Sequence, residues 1–176
     1  TLNELIDEGV LSSKFRGLGS DALPLDRALY RHQEASIRKA RQGRNVVVAT
    51  GTGSGKTESF LLPIFDSLIR ELENGSLREG VRALLLYPMN ALANDQMKRL
   101  RALLAGFPQI TFGRYTGDTE TDPKKALDRF QELNPGEPLL PNELLSREAM
   151  RATPPHLLLT NYAMLEYLLL RPQDMG

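Results

Sequence analysis

Eight consecutive residues, Thr50-Gly51-Thr52-Gly53-Ser54-Gly55-Lys56-Thr57, hold the densest chemistry in this sequence. Alternating glycines let the main chain curl until successive N–H groups face inward as a nest for an anion. An ammonium and a hydroxyl follow at once. Lys56 places a point charge where the β- and γ-phosphate oxygens of a nucleoside triphosphate lie, and Thr57 offers an oxygen to Mg2+. Thr52, Gly53, Ser54 and Gly55 complete the cradle. Thr50 stands where the general pattern has glycine, which leaves Gly51 and Gly53 to carry the turn. Little else in the chain competes. Cysteine is absent, which removes disulfides and thiolate zinc sites together, and the two histidines, His32 and His156, are far apart.

Such a loop binds phosphate only when a strand delivers it and a helix opens directly after it. Both are expected. Asn45–Ala49 is a near-continuous apolar run that reads as a strand, and Leu61, Ile64, Phe65, Leu68 and Leu72 share one face of a helix behind the loop. Val81–Tyr87 and Pro155–Thr160 read as further strands buried on both faces, the pattern of parallel sheets, and Ile110–Tyr115 as a shorter one. Leu92, Met97, Leu100, Leu103 and Leu104 mark a second helix that Gly106 stops. The alternation predicts a doubly wound α/β fold, a mostly parallel sheet with helices on both faces. Residues 1–28 fall outside this regularity as an N-terminal extension, and the polar, proline-punctuated stretch 116–155 reads as a surface insertion.

The composition fits one soluble domain: 176 residues, 41% hydrophobic and 25% charged. Lys plus Arg and Asp plus Glu balance at 22 each, so any contact with nucleic acid must be local rather than driven by bulk charge. Arg38, Lys39, Arg41 and Arg44, and likewise Lys98, Arg99 and Arg101, read as solvated faces. No apolar run reaches the ~18 residues of a membrane span, and the start lacks a signal segment, so a cytoplasmic location without membrane contact is expected.

Four further motifs occur in a fixed order. Leu29-Tyr30-Arg31-His32-Gln33 precedes the phosphate loop; Tyr87-Pro88-Met89-Asn90-Ala91-Leu92-Ala93-Asn94-Asp95-Gln96 follows the second strand; then come Tyr115-Thr116-Gly117-Asp118 and Leu159-Thr160-Asn161-Tyr162. Together with the loop they resemble the first RecA-like domain of superfamily 2 DEAD/DEAH-box helicases, over about Leu29–Pro172. The ending Met164-Leu165-Glu166-Tyr167-Leu168-Leu169-Leu170-Arg171-Pro172 is similar to the large bacterial group related to RecQ-like repair and phage-defence helicases.

The resemblance implies a RecA-like P-loop NTPase, with residues 29–176 as a partial first lobe, using ATP and Mg2+. Lys56 and Thr57 become the catalytic pair. Gln33, whose amide donates and accepts at once, matches the adenine edge, and Tyr30 or Phe15 is a candidate to stack on the base or to lie in the core. Pro88, Met89, Asn90, Gln96, Thr116, Gly117, Thr160 and Asn161 become contacts to a nucleic-acid backbone, DNA in preference to RNA, at the carboxyl edge of the sheet. Asn90 and Asn161 serve equally well as helix N-caps. Motif II, which supplies the magnesium-binding Asp and the water-orienting Glu, and a second RecA-like domain are expected beyond Gly176. These residues alone are therefore expected to bind nucleotide without turning it over. An ATP-gated clamp that grips nucleic acid without unwinding is the alternative. A small-molecule kinase is a weaker one, because it leaves Pro88–Gln96 and Thr160–Asn161 without a purpose.

Overall fold

The structure, a computed structural model, describes residues 1–51 and 53–170, and the chain divides into two compact units, Thr1–Leu77 and Arg78–Gly176.

The first unit is helical. α1 (Leu2–Asp7) opens on a capping box in which the Thr1 side chain and Glu4 satisfy each other's end amides. A 3-10 helix, Ser13–Leu18, follows, then α2 (Arg31–Arg41) and α3 (Lys56–Glu73). α2 packs on α3. The helical face is found shifted from the expected one: Leu61, Phe65 and Leu68 are buried together with Leu62 and Ile69, while Ile64 and Leu72 are half-buried. The N-terminal segment is built into this core through Leu2, Leu5, Leu11, Phe15 and Leu18, each 2% exposed or less. Its backbone is tied to α3 as well. Ser12 N–H donates to Asp66 Oδ1 at 2.6 Å, and Arg70 bridges Asp66 to the carbonyls of Gly9 and Val10.

One expected element is corrected here. Residues 45–49 form no strand, and Val47 is 95% exposed. An apolar run becomes a central parallel strand only where neighbours on both sides complete its ladder, and among the described residues the first unit holds no named strand to pair with it.

The second unit carries an all-parallel sheet of four strands in the order β1-β4-β2-β3, with β1 at Ala83–Tyr87, β2 at Phe112–Arg114, β3 at Glu143–Leu144 and β4 at Leu157–Asn161. α4 (Asn90–Leu104) lies on the face that bears Arg114 and Glu143, as the Arg114–Asn94 and Arg101–Glu143 bonds show. α6 (Arg147–Ala152) covers the opposite face at Gly113, where an added Cβ would meet Met150 Sδ at 2.7 Å. α5 (Pro123–Leu133) and α7 (Tyr162–Leu170) complete the unit. Burial of β1 alternates: Leu85 is buried, but Leu84 and Leu86 are 43% and 49% exposed, so only one of its faces is covered.

The segment 116–155 supplies α5, β3 and α6, and so adds an edge strand to the sheet. Arg101 corrects another expectation. It faces inward, with Nε and Nη2 on the two oxygens of buried Glu143 at 2.7 and 2.8 Å and its guanidinium over Phe130. A bidentate carboxylate partner outweighs water for such a group when the geometry is this close. No helix among the described residues is long and apolar enough to cross a membrane.

Candidate functional site

The phosphate loop lies in the first unit, at the amino end of α3. Gly53 and Gly55 both adopt left-handed backbone, φ +73° and +70°, which only glycine takes without strain. Gly55 is the N-cap of α3, so the next residue, Lys56, stands at the point where an 18-residue helix presents its unpaired amides and positive dipole end. Lys56 Nζ folds over the loop and donates to the carbonyls of Thr50 and Gly51. Ser54 Oγ ties the loop across its base to Gly51 O at 2.9 Å. Thr57 is half-buried one position further into the helix. Thr52 lies outside the described residues.

Gln33 is 2% exposed and works between two elements. Its Nε2 donates to Gly55 O and its Oε1 accepts from Tyr30 N–H, each at 2.9 Å. The amide therefore fastens the start of α2 to the phosphate loop. The approach is tight: a Cβ on Gly55 would sit 2.4 Å from Gln33 Nε2. Tyr30 is 58% exposed and stacked on His32, whereas Phe15 is fully buried in the core. Glu58, buried in the first turn of α3, pairs with Arg27 at 3.3 Å. A cradle this close to Gly55, an ammonium held within the loop and a hydroxyl beside it suit a magnesium-bound triphosphate.

The second group of candidates lies in the second unit. Because β1, β4 and β2 are parallel neighbours, with Tyr87 opposite Asn161 and Arg114 opposite Leu159, the loops after them share one edge. Pro88 and Met89 are exposed there, and α4 opens with Met89 at its N-cap and Asn90 as its first residue. Tyr87 leads into this loop. Burial pushes its phenol up to about 12, with Arg99 pulling the other way, so it stays protonated. Gln96 is half-buried on α4 with its amide oxygen enclosed.

Thr160 is fully buried and donates to Tyr115 O at 2.6 Å, which braces the ends of β4 and β2 against each other. Asn161 Oδ1 accepts from Met164 N–H at 2.7 Å, the N-cap bond of α7. Thr116 is buried as well; its hydroxyl donates to Asp118, and Thr119 N–H closes a turn on Thr116 O at 3.1 Å. Gly117 projects from that turn, exposed. Burial alone pushes the Asp118 carboxyl up, but the Thr116 hydroxyl and the Arg114 guanidinium together hold it below the usual carboxylate range. Sequence reasoning missed Arg147, whose Nη2 donates to Thr116 O and Gly117 O at 3.0 and 2.9 Å. Nothing in the spacing announces a bond across thirty positions of sequence.

Residues 30–138 match the family model described as DEAD/DEAH box helicase. This chain belongs to that family. The matched range takes in Tyr30, Gln33, the phosphate loop, Pro88–Gln96 and Thr116–Gly117; Thr160 and Asn161 lie past it. Among curated relatives, Druantia protein DruE of Escherichia coli is 31% identical across 81% of this chain and 12% of its own length. The ATP-dependent helicase Lhr-Core of Methanothermobacter thermautotrophicus is also 31% identical, across 80% of this chain and 15% of its own. Among solved structures, the DUF1998 helicase MrfA bound to DNA and AMPPNP superposes with a TM-score of 0.62 at 25% identity, covering 89% of this chain and 17% of that one. The chain thus spans less than a fifth of the length of these DEAD/DEAH box relatives, and its α/β fold with an all-parallel sheet accords with a RecA-like lobe.

Proposed function

We propose that these residues are the nucleotide-binding part of the first RecA-like lobe of an ATP-dependent nucleic-acid helicase or translocase, cytoplasmic, acting on DNA in preference to RNA. The observation that carries the reading is the start of α3, where Lys56 arches over a loop whose Gly55 carbonyl is held by buried Gln33. The Lys56 ammonium would exchange two carbonyl oxygens for phosphate oxygens, a stronger charge-assisted partner. Thr57 would hold Mg2+, which supplies charge neutralisation at the triphosphate. Gln33 keeps one N–H and one carbonyl lone pair beyond its two bonds to protein, enough for the adenine edge. DNA as the nucleic acid is supported by the DNA in the MrfA structure.

The motif II pair, the magnesium-binding Asp and the water-orienting Glu, is not found among residues 1–176. The one Asp-Glu pair, Asp7-Glu8, is engaged elsewhere, with Arg16 and Arg38. We therefore expect residues 1–176 alone to bind ATP without appreciable turnover, and the full-length protein, with a second RecA-like domain, to couple hydrolysis to movement along a strand.

The test is Lys56→Ala in the full-length protein, assayed for ATP hydrolysis and for strand displacement on matched DNA and RNA duplexes. Both activities should be lost, a drop of about 10²-fold or more for a phosphate-stabilising charge. Unwinding retained by the variant overturns the assignment, and equal unwinding of RNA overturns the preference.

A further inference from the structure

Arg147, the first residue of α6, is 31 positions from the turn it grips. Its own backbone is anchored to the same loop, since its N–H donates to Glu120 O at 2.9 Å, and Ser146 caps the helix through Ala149 N–H. The guanidinium carbon lies 5.3 Å from the Tyr115 ring centroid, and its Nη2 reaches both the Thr116 and the Gly117 carbonyls. Nε is buried without a partner. The guanidinium is therefore held in place by its two carbonyl partners and the Tyr115 ring.

The direction of these bonds matters. The peptide units are planar and none is cis, so the carbonyl and the N–H of one unit point in opposite directions. With the Thr116 carbonyl turned toward Arg147, the Gly117 N–H of the same unit is turned away from it. Gly117 is exposed, an added Cβ there would meet nothing within 4 Å, and among the described residues no acceptor meets this N–H. The neighbouring Asp118 carboxylate accepts from the Thr116 hydroxyl and is compensated by Arg114 at 3.4 Å. A cation on the carbonyl side also polarises the peptide and strengthens the donor on its other side.

We infer that Arg147 is a positioning residue that holds the Thr116–Gly117 peptide with its N–H presented outward to a phosphate oxygen of the bound strand. The inference rests on the reading of this turn as a nucleic-acid contact. Arg147 touches no phosphate itself. Lysine is not its equivalent: an ammonium can reach two carbonyls, as Lys56 does, but it has no planar group to lie over Tyr115 and fix both bonds in this geometry.

The experiment is equilibrium binding of fluorescent single-stranded DNA by the full-length protein, with ATP hydrolysis measured alongside, for Arg147→Ala, Arg147→Lys and Gly117→Glu. Arg147→Ala should weaken DNA affinity about fivefold, the worth of one hydrogen bond, and raise by the same factor the DNA concentration that half-saturates hydrolysis. The KM for ATP and the rate at saturating DNA should stay within about twofold of the parent protein. The slope of log affinity against log salt should not change, because no phosphate charge contact is removed. Arg147→Lys should behave like Arg147→Ala; should Arg147→Ala fail to fold, Arg147→Lys keeps the charge and carries the test. Gly117→Glu, which sets a negative charge on an open position, should weaken binding in any case.

Wild-type affinity in both Arg147 variants with weakened Gly117→Glu overturns the inference alone. A salt slope reduced by about one makes Arg147 a direct phosphate ligand and overturns its positioning role. Wild-type affinity in Gly117→Glu overturns the reading of the turn on which the inference stands.

Discussion

Gly55 is where conformation, packing and proposed chemistry meet on one atom position. Its φ of +70° suits only glycine, and Gln33 Nε2 occupies the space a methyl group would enter. Gly55→Ala should therefore do two things at once: strain the N-cap of α3 and expel the Gln33 amide from its bond to the loop. The expected result is a loss of stability of about 1–3 kcal/mol, the range for a non-glycine held in an unfavourable backbone region, and at least a tenfold weaker affinity for a fluorescent ATP analogue. Calorimetry and nucleotide titration of the purified variant check it, and unchanged nucleotide affinity would show that the Gln33–Gly55 bond has no part in holding the loop. At this scale the sequence was legible where chemistry is local. Gly53, Gly55, Lys56 and Thr57 are neighbours in the chain, so their spacing announces their geometry. Thr160 was harder to read, because only the fold shows its hydroxyl enclosed against Tyr115, and Arg147 carried no local signal at all.

Elements were legible in proportion to their length and periodicity. β1 and β4 were marked by apolar runs, and α3 and α4 by their faces, because burial imposes those patterns directly. Residues 45–49 show the same pattern without the strand, since a ladder is a property of neighbours rather than of the run itself. β3, two residues long, has no period to detect; what fixes it is a pair of polar groups. Glu143 is buried there with both oxygens on Arg101 from α4, and Asn142 beside it sets its Nδ2 within 3.1 Å of the carbonyls of Leu104, Phe107 and Ile110. Removing one partner of such a pair leaves a buried charge uncompensated. Glu143→Ala should destabilise the protein by about 3 kcal/mol, while the double change Arg101→Met with Glu143→Leu should recover most of that. Urea melts of the three proteins decide it, and a loss under about 1 kcal/mol in the single variant would mean that β3 is held by its backbone alone.

At the scale of the whole chain, a neutral and unremarkable composition concealed two units that are built differently, one helical and one organised on a sheet. The segment 1–28 is the part that composition and periodicity described least well. Its helices are a single turn or two, too short to show a face, yet seven of its apolar side chains, Leu2, Leu5, Ile6, Leu11, Phe15, Leu18 and Leu23, are no more than 6% exposed. Phe15 is completely enclosed, and Asp66 of α3, itself buried, depends on Ser12 N–H and Arg70 for its partners. An element that fills the core of the unit holding the phosphate loop should be needed for that loop to be ordered. Deleting residues 1–28 should uncover the apolar sides of α2 and α3, raise binding of a hydrophobic dye and abolish affinity for an ATP analogue, although no deleted residue lies in the loop. The milder Phe15→Ala should cost about 3–5 kcal/mol of stability through the cavity it leaves. It should weaken nucleotide binding only as far as the unit unfolds, so that lowering the temperature restores it. A protein of residues 29–176 that melts at the parent temperature and binds the analogue equally well would show instead that the segment is an appendage, and that α2 and α3 sustain the loop by themselves.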